Sequence, residues 1–152
     1  MHIGRHLFLG FAIATAGLFF FAGSVWAGGQ LAVVERAASD TVTDIGAKGD
    51  SVGDVLTFAN EIYDQNNKTL VGHDNGWCVR TAVGQSWECF WTTLLDKGQI
   101  TVEGPYYDTK DSVLAITGGT GAYATVRGEM KLHARNDKGT EYDFVFDMLD
   151  AQ

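Results

Sequence analysis

Residues 130–148 read M-K-L-H-A-R-N-D-K-G-T-E-Y-D-F-V-F-D-M. From Met130 to Arg135, apolar and polar residues alternate strictly. From Tyr142 to Met148, every second residue is again apolar. Both runs have the period of a half-buried strand. A loop at Asp137-Lys138-Gly139, with Gly139 at a left-handed bulge position, joins them. It sets Ala134 opposite Tyr142, Leu132 opposite Phe144 and Met130 opposite Phe146. On the other face Arg135 meets Glu141, and His133 meets Asp143. Apolar then pairs with apolar and basic with acidic. A slip of one residue would destroy that match.

This hairpin decides how the preceding glycines are read. Gly119-Thr120-Gly121-Ala122-Tyr123-Ala124 fits the looser dinucleotide pattern G-x-G-x-x-(G/A), and the apolar run Ser112–Thr117 supplies a strand before it. The pattern also needs a helix after it. The next periodic segment is a strand, so the cluster reads as a corner in a sheet rather than a phosphate cradle.

At the N-terminus, residues 1–27 carry Arg5, then an almost unbroken apolar run from Leu7 to Gly23, then Val25-Trp26-Ala27. This reads as a secretory signal peptide with a small residue at the cut, an uncleaved membrane anchor being the alternative. Residues 28–152 form a single domain, secreted or periplasmic. They carry ten basic and nineteen acidic residues, a net charge of −9. No basic stripe offers a nucleic-acid surface, and acidity disfavours anionic membranes. After cleavage no membrane insertion is expected.

Short apolar or alternating runs recur at Leu31–Val34, Val52–Ile62, Trp77–Val83, Ser86–Leu94, Ile100–Val102, Val113–Thr117, Ala124–Arg135 and Thr140–Leu149. Helical periodicity is nearly absent. The expected fold is all-β: eight or so short antiparallel strands suggest a closed barrel or a sandwich. Residues 35–54, small and polar, read as a long loop at one mouth. A turn centred on Val83-Gly84 pairs Arg80 with Trp87 and Cys78 with Cys89. Directly opposed cysteines in an exported chain favour a disulfide, two free thiols being the alternative. Two thiols and two histidines in residues 28–152 do not make a metal site.

Common hydrolytic patterns are absent: there is no G-x-S-x-G and no H-E-x-x-H. His133 reads as a surface partner of Asp143, and His73, in G-H-D-N-G, as a turn residue. Ten large rings, among them Trp77, Trp87, Trp91, Tyr106, Tyr142 and Phe144, can fill a barrel or line an apolar pocket.

Gly104-Pro105-Tyr106, Asp111-Ser112-Val113-Leu114-Ala115-Ile116-Thr117-Gly118-Gly119, Gly121 and Gly128-Glu129-Met130-Lys131-Leu132, together with Phe58-Ala59-Asn60-Glu61-Ile62-Tyr63 and Cys78-Val79, resemble the core signature of allene oxide cyclases. Gly118-Gly119-Thr120-Gly121 with Arg127-Gly128 also resembles dirigent proteins. Both resemblances imply an all-β, eight-stranded antiparallel closed barrel with an apolar central pocket, commonly assembled as a homotrimer. The first implies an isomerase that closes an unstable fatty-acid epoxide to a cyclopentenone, with no cofactor. An apolar cavity excludes water and restricts conformers, a carboxylate faces developing positive charge, and a fixed water or amide supports the oxygen. On this resemblance Glu35 is the carboxylate, Asn60 helps to hold the water, and Cys78 and Tyr106 line the pocket. Ala37 stands where that family has an asparagine, and no Ser-Pro pair occurs among Thr41–Ile45. The second resemblance implies a barrel that holds a reactive intermediate without chemistry of its own. A non-catalytic barrel binding a small hydrophobic ligand is the third reading.

Overall fold

The computed structural model describes residues 28–149, so the expected signal peptide lies outside the described residues. The strands run β1 (Gly29–Arg36), β2 (Thr41–Thr43), β3 (Val55–Asp64), β4 (Leu70–Ala82), β5 (Ser86–Leu95), β6 (Gly98–Tyr107), β7 (Ser112–Gly119), β8 (Gly128–Ala134) and β9 (Glu141–Met148). Each pairs antiparallel with its neighbours in the order β1-β9-β8-β7-β6-β5-β4-β3-β2. Pairing of β1 with β3 closes the sheet, so among the described residues eight strands form a barrel and the short β2 lies outside it. A 3₁₀ turn, Gly121–Tyr123, comes after β7.

Side chains of every second residue point inward, as the pleat requires. One half of the barrel is packed solid around Ile62, Ile100, Val102, Met130 and Phe146, all fully buried. The β8–β9 hairpin has the expected register, with Leu132 opposite Phe144 and Met130 opposite Phe146. Its outer side chains pair differently. His133 Nδ1 meets Asp111 Oδ1 at 2.7 Å, and Arg135 Nε lies 3.5 Å from Asp143 Oδ1. Exposed side chains reach diagonally across the sheet, so direct opposition does not fix their partners.

Three boundaries differ from the sequence reading. β4 begins at Leu70, not Trp77, which places His73 inside a strand rather than a turn. Its first half, L-V-G-H-D-N-G, lacks apolar alternation because an aspartate and two glycines take inward or close-packed positions. Glu35 and Arg36 complete β1, and Thr41–Thr43 is a strand, so the polar stretch 35–54 is only partly loop. β3 begins at Val55, after the turn at Gly53 (φ 98°).

The Asp54 carboxylate ties that loop down. It accepts the amides of Ile45 (3.0 Å) and Ser51 (2.8 Å), which hold its pKa below the ordinary value. Arg80 clamps the same end of the barrel. Its Nη1 donates to Asp108 (2.7 Å), its Nε lies 2.6 Å from Asp50, and its guanidinium stacks over the Trp87 ring.

Cys78 and Cys89 are bonded across β4 and β5, directly opposed, with Cα atoms 4.0 Å apart. Replacing both with serine is expected to lower unfolding free energy by about 2–3 kcal/mol, from the loop-closure entropy of a closed loop of about a dozen residues. Urea unfolding with and without the bridge measures this. An unchanged midpoint would show that the hairpin is held by its ladder alone.

Candidate functional site

Above the packed half lies a cavity of about 90 Å³ that opens to solvent, lined by Glu35, Asp40, Leu56, Phe58, the Cys78–Cys89 bridge, Trp91, Tyr106, Leu132, Tyr142 and Phe144. The pleat explains the set. β9 contributes Tyr142 and Phe144 two residues apart, β3 Leu56 and Phe58, and β5 Cys89 and Trp91. Aromatic edges pack against faces around the wall: Phe58 stands at 70° to Trp91, and Tyr106 at 79° to Tyr142. The four residues expected at the site, Glu35, Asn60, Cys78 and Tyr106, all lie at the cavity or immediately behind its wall. The pocket cysteine contributes disulfide sulfur, not a thiol.

Asn60 is the structural pivot. The chain leaves β1 at Arg36 and reaches β2 at Thr41, so two backbone amides face β3 with no ladder partner. Asn60 Oδ1 accepts both, Ala38 N at 3.0 Å and Ser39 N at 2.9 Å. Its Nδ2 donates to Glu35 Oε1 and to Asp40 Oδ1, each at 2.8 Å. Its own backbone N–H donates to Asp74 Oδ1 at 3.1 Å. The amide is therefore fully engaged by the protein. It fixes where two carboxyl groups stand and has no free hydrogen to hold a water.

Sequence reasoning missed Asp40 and Asp74 at the cavity, and reached Trp91 and Tyr142 only among the rings that could line a pocket. Asp74 had a usable signal, since it lies four residues before Cys78 on one strand and so faces the same side. Glu35 is 5 % exposed and Asp74 is 1 % exposed, and each carboxyl lies close enough to act on the ionisation of the other. Two carboxyl groups in such contact hold a proton between them. Burial first, then the Asp74 charge, lift the Glu35 pKa well above the usual carboxylate range. Burial lifts Asp74 to about 7, against the hydrogen bonds from Glu35 and the Asn60 amide. Burial also raises both Tyr106 and Tyr142, whose hydroxyls lie 3.1 Å apart. At neutral pH the cavity thus presents a carboxylic acid and phenols as hydrogen-bond donors within aromatic walls.

These shifts make stability depend on pH. Between about pH 4.5 and 7 the folded pair binds more protons than the unfolded chain, so stability falls as pH rises through that window. Asp54, Asp64 and Asp147, with lowered values, act oppositely and only in more acid solution. Thermal unfolding is therefore expected to be highest near pH 5. A melting temperature that rises from pH 5 to 8 would contradict the buried acid pair.

Residues 32–136 match the family model described as allene oxide cyclase. Among solved structures, a pyocyanin demethylase is 27 % identical and superposes with a TM-score of 0.66, covering 78 % of this chain and all of that one. A pterocarpan synthase dirigent protein is 16 % identical (TM-score 0.65), covering 84 % of this chain and 99 % of its own. An exo-specific intermolecular Diels-Alderase is 13 % identical (TM-score 0.63), covering 81 % and 98 %. The last two likenesses concern the barrel alone.

Proposed function

From the premise that this chain belongs to the allene oxide cyclase family, shown by the match over residues 32–136, we propose that it is an isomerase or cyclase that closes an apolar, epoxide- or polyene-type substrate inside its barrel. The observation that carries this reading is Glu35, a buried acid at the foot of an aromatic cavity, held by Asn60 and backed by Asp74. Such a group hydrogen-bonds the substrate oxygen while it is protonated and offers a carboxylate to positive charge once the proton has moved. Aromatic walls exclude water from a reactive intermediate and limit its conformers.

The dimensions refine the substrate. A cavity of about 90 Å³ takes the reacting segment but not a long chain. A cleft of about 550 Å³ lies on the other side of Tyr106, Leu132 and Tyr142, which line both spaces. The remainder of an extended substrate occupies that cleft. The chain's residues need no cofactor for this chemistry, and the ligand is a small hydrophobic molecule. We assign Glu35 as the catalytic residue, Asn60 as the residue that positions it, and Tyr106 with the disulfide as binding wall. Assembly as a homotrimer and export after cleavage at Ala27 belong to the same proposal.

A second reading, a barrel that binds a small hydrophobic ligand without closing a ring in it, draws on the likeness to a pyocyanin demethylase. NMR titration with 2-cyclopentenone, the ring such a cyclase would form, tests the site common to both. Shifts confined to Trp91, Phe144 and Tyr142 are expected. Shifts absent from these residues at saturating ligand would remove the cavity as a binding site.

A further inference from the structure

Asp74 is absent from the site that the family resemblance implies, yet it is the most deeply buried carboxylate beside the cavity, at 1 % exposure. Three strands fix it. It stands opposite Asn60 on β3 and opposite Thr93 on β5, within β4. Its Oδ1 accepts the Asn60 backbone amide, while its Oδ2 receives no hydrogen bond from any N–H or hydroxyl group. The group it does face is the Glu35 carboxyl. A buried carboxylate oxygen without a donor is costly. A proton shared with Glu35 is the donor that completes it.

We infer that Asp74 is a proton-holding partner of Glu35, taking the Glu35 proton when positive charge develops in the cavity and returning it when that charge is gone. This rests on the cyclase reading and deepens it. Opening of an epoxide C–O bond leaves positive charge on carbon and negative charge on oxygen. As the proton passes from Glu35 to Asp74, Glu35 becomes the carboxylate facing the cation. Ring closure then forms one C–C bond from the π electrons, both charges disappear, and the proton returns. No proton enters or leaves the protein. The pair keeps a single negative charge throughout, so two adjacent buried anions never form.

The other polar groups around Glu35 suit this role. Asp40, from the β1–β2 connection, and Asp74 both disfavour ionisation of Glu35 at rest. Tyr142 on β9 and Tyr106 on β6 stay neutral. Asn60 on β3 supplies the neutral amide that grips Oε1 whichever acid holds the proton.

The test is a ¹³C NMR titration of the Glu35 and Asp74 carboxyl carbons in wild type and in Asp74→Asn, whose side chain keeps the shape but cannot take the proton. In wild type the pair should retain one proton through pH 7. In Asp74→Asn the Glu35 midpoint should fall by at least about one unit, because a negative neighbour is gone. Wild-type Glu35 fully ionised at pH 7, or a midpoint unmoved by the substitution, would overturn the inference. The wild-type result decides it even if the variant fails to fold. For turnover, Asp74→Asn should lower kcat with KM little changed and shift the pH profile, which lost packing would not do. Absence of turnover in wild type would sink the cyclase reading, while the titration would still show whether the proton is shared.

Discussion

Glu35→Gln is expected to slow ring closure about 10³-fold, the scale on which a charge-stabilising or proton-handling group contributes. Folding should survive the change. The amide oxygen of Gln can accept the Asn60 Nδ2 hydrogen bond that now reaches Oε1 at 2.8 Å, and its NH₂ can donate to Asp74. Asp74 Oδ2, which lacks a conventional donor, would then gain one. Melting temperature at pH 8 should therefore equal or exceed that of wild type, because one buried ionisable group has gone. Loss of rate with retained stability separates a chemical role from a structural one. A rate within threefold of wild type would remove Glu35 from the mechanism.

Gly128→Ala is expected to cost about 4 kcal/mol, at the upper end of single-substitution effects. Gly128 starts β8 with φ 140°, a conformation that L side chains rarely adopt. It pairs with Met148, and a Cβ there would run into the carbonyl oxygen of Asp147 on the neighbouring strand. Backbone of a paired strand cannot move aside without breaking the β8–β9 ladder. Gly84 provides the control. It also has positive φ (64°), but nothing lies within 4 Å of a Cβ placed there, so Gly84→Ala should cost only about 1 kcal/mol. Equal costs at the two positions would show that conformation, not the close approach, makes Gly128 necessary.

The contrast between these glycines also shows what the sequence could reveal. The hairpin at 130–148 was legible because one face carries Met130, Leu132, Phe144 and Phe146, and only one register buries all four. The Cys78–Cys89 bridge was legible from similar parity about the Val83-Gly84 turn. The first half of β4 was hidden because its inward residue is Asp74, and a polar residue facing inward breaks the pattern by which strands are recognised. That break is what marks the buried acid beside the cavity. Glu35 and Asn60 were reached only through the family resemblance, since V-V-E and F-A-N have no pattern of their own. Their shared engagement, with Asn60 gripping Glu35 and Asp40 together, depends on three segments far apart in the chain. No local reading brings those segments together.

Chiral analysis of the product tests the central claim most directly. Residues 28–152 would be mixed with an allene oxide generated in situ from a fatty-acid hydroperoxide, and the cyclopentenone separated by enantiomer. One enantiomer is expected in clear excess, formed faster than in buffer, because the aromatic walls allow one fold of the reacting chain. A racemic product at the buffer rate would contradict cyclase chemistry, and would leave a barrel that binds its ligand without turning it over.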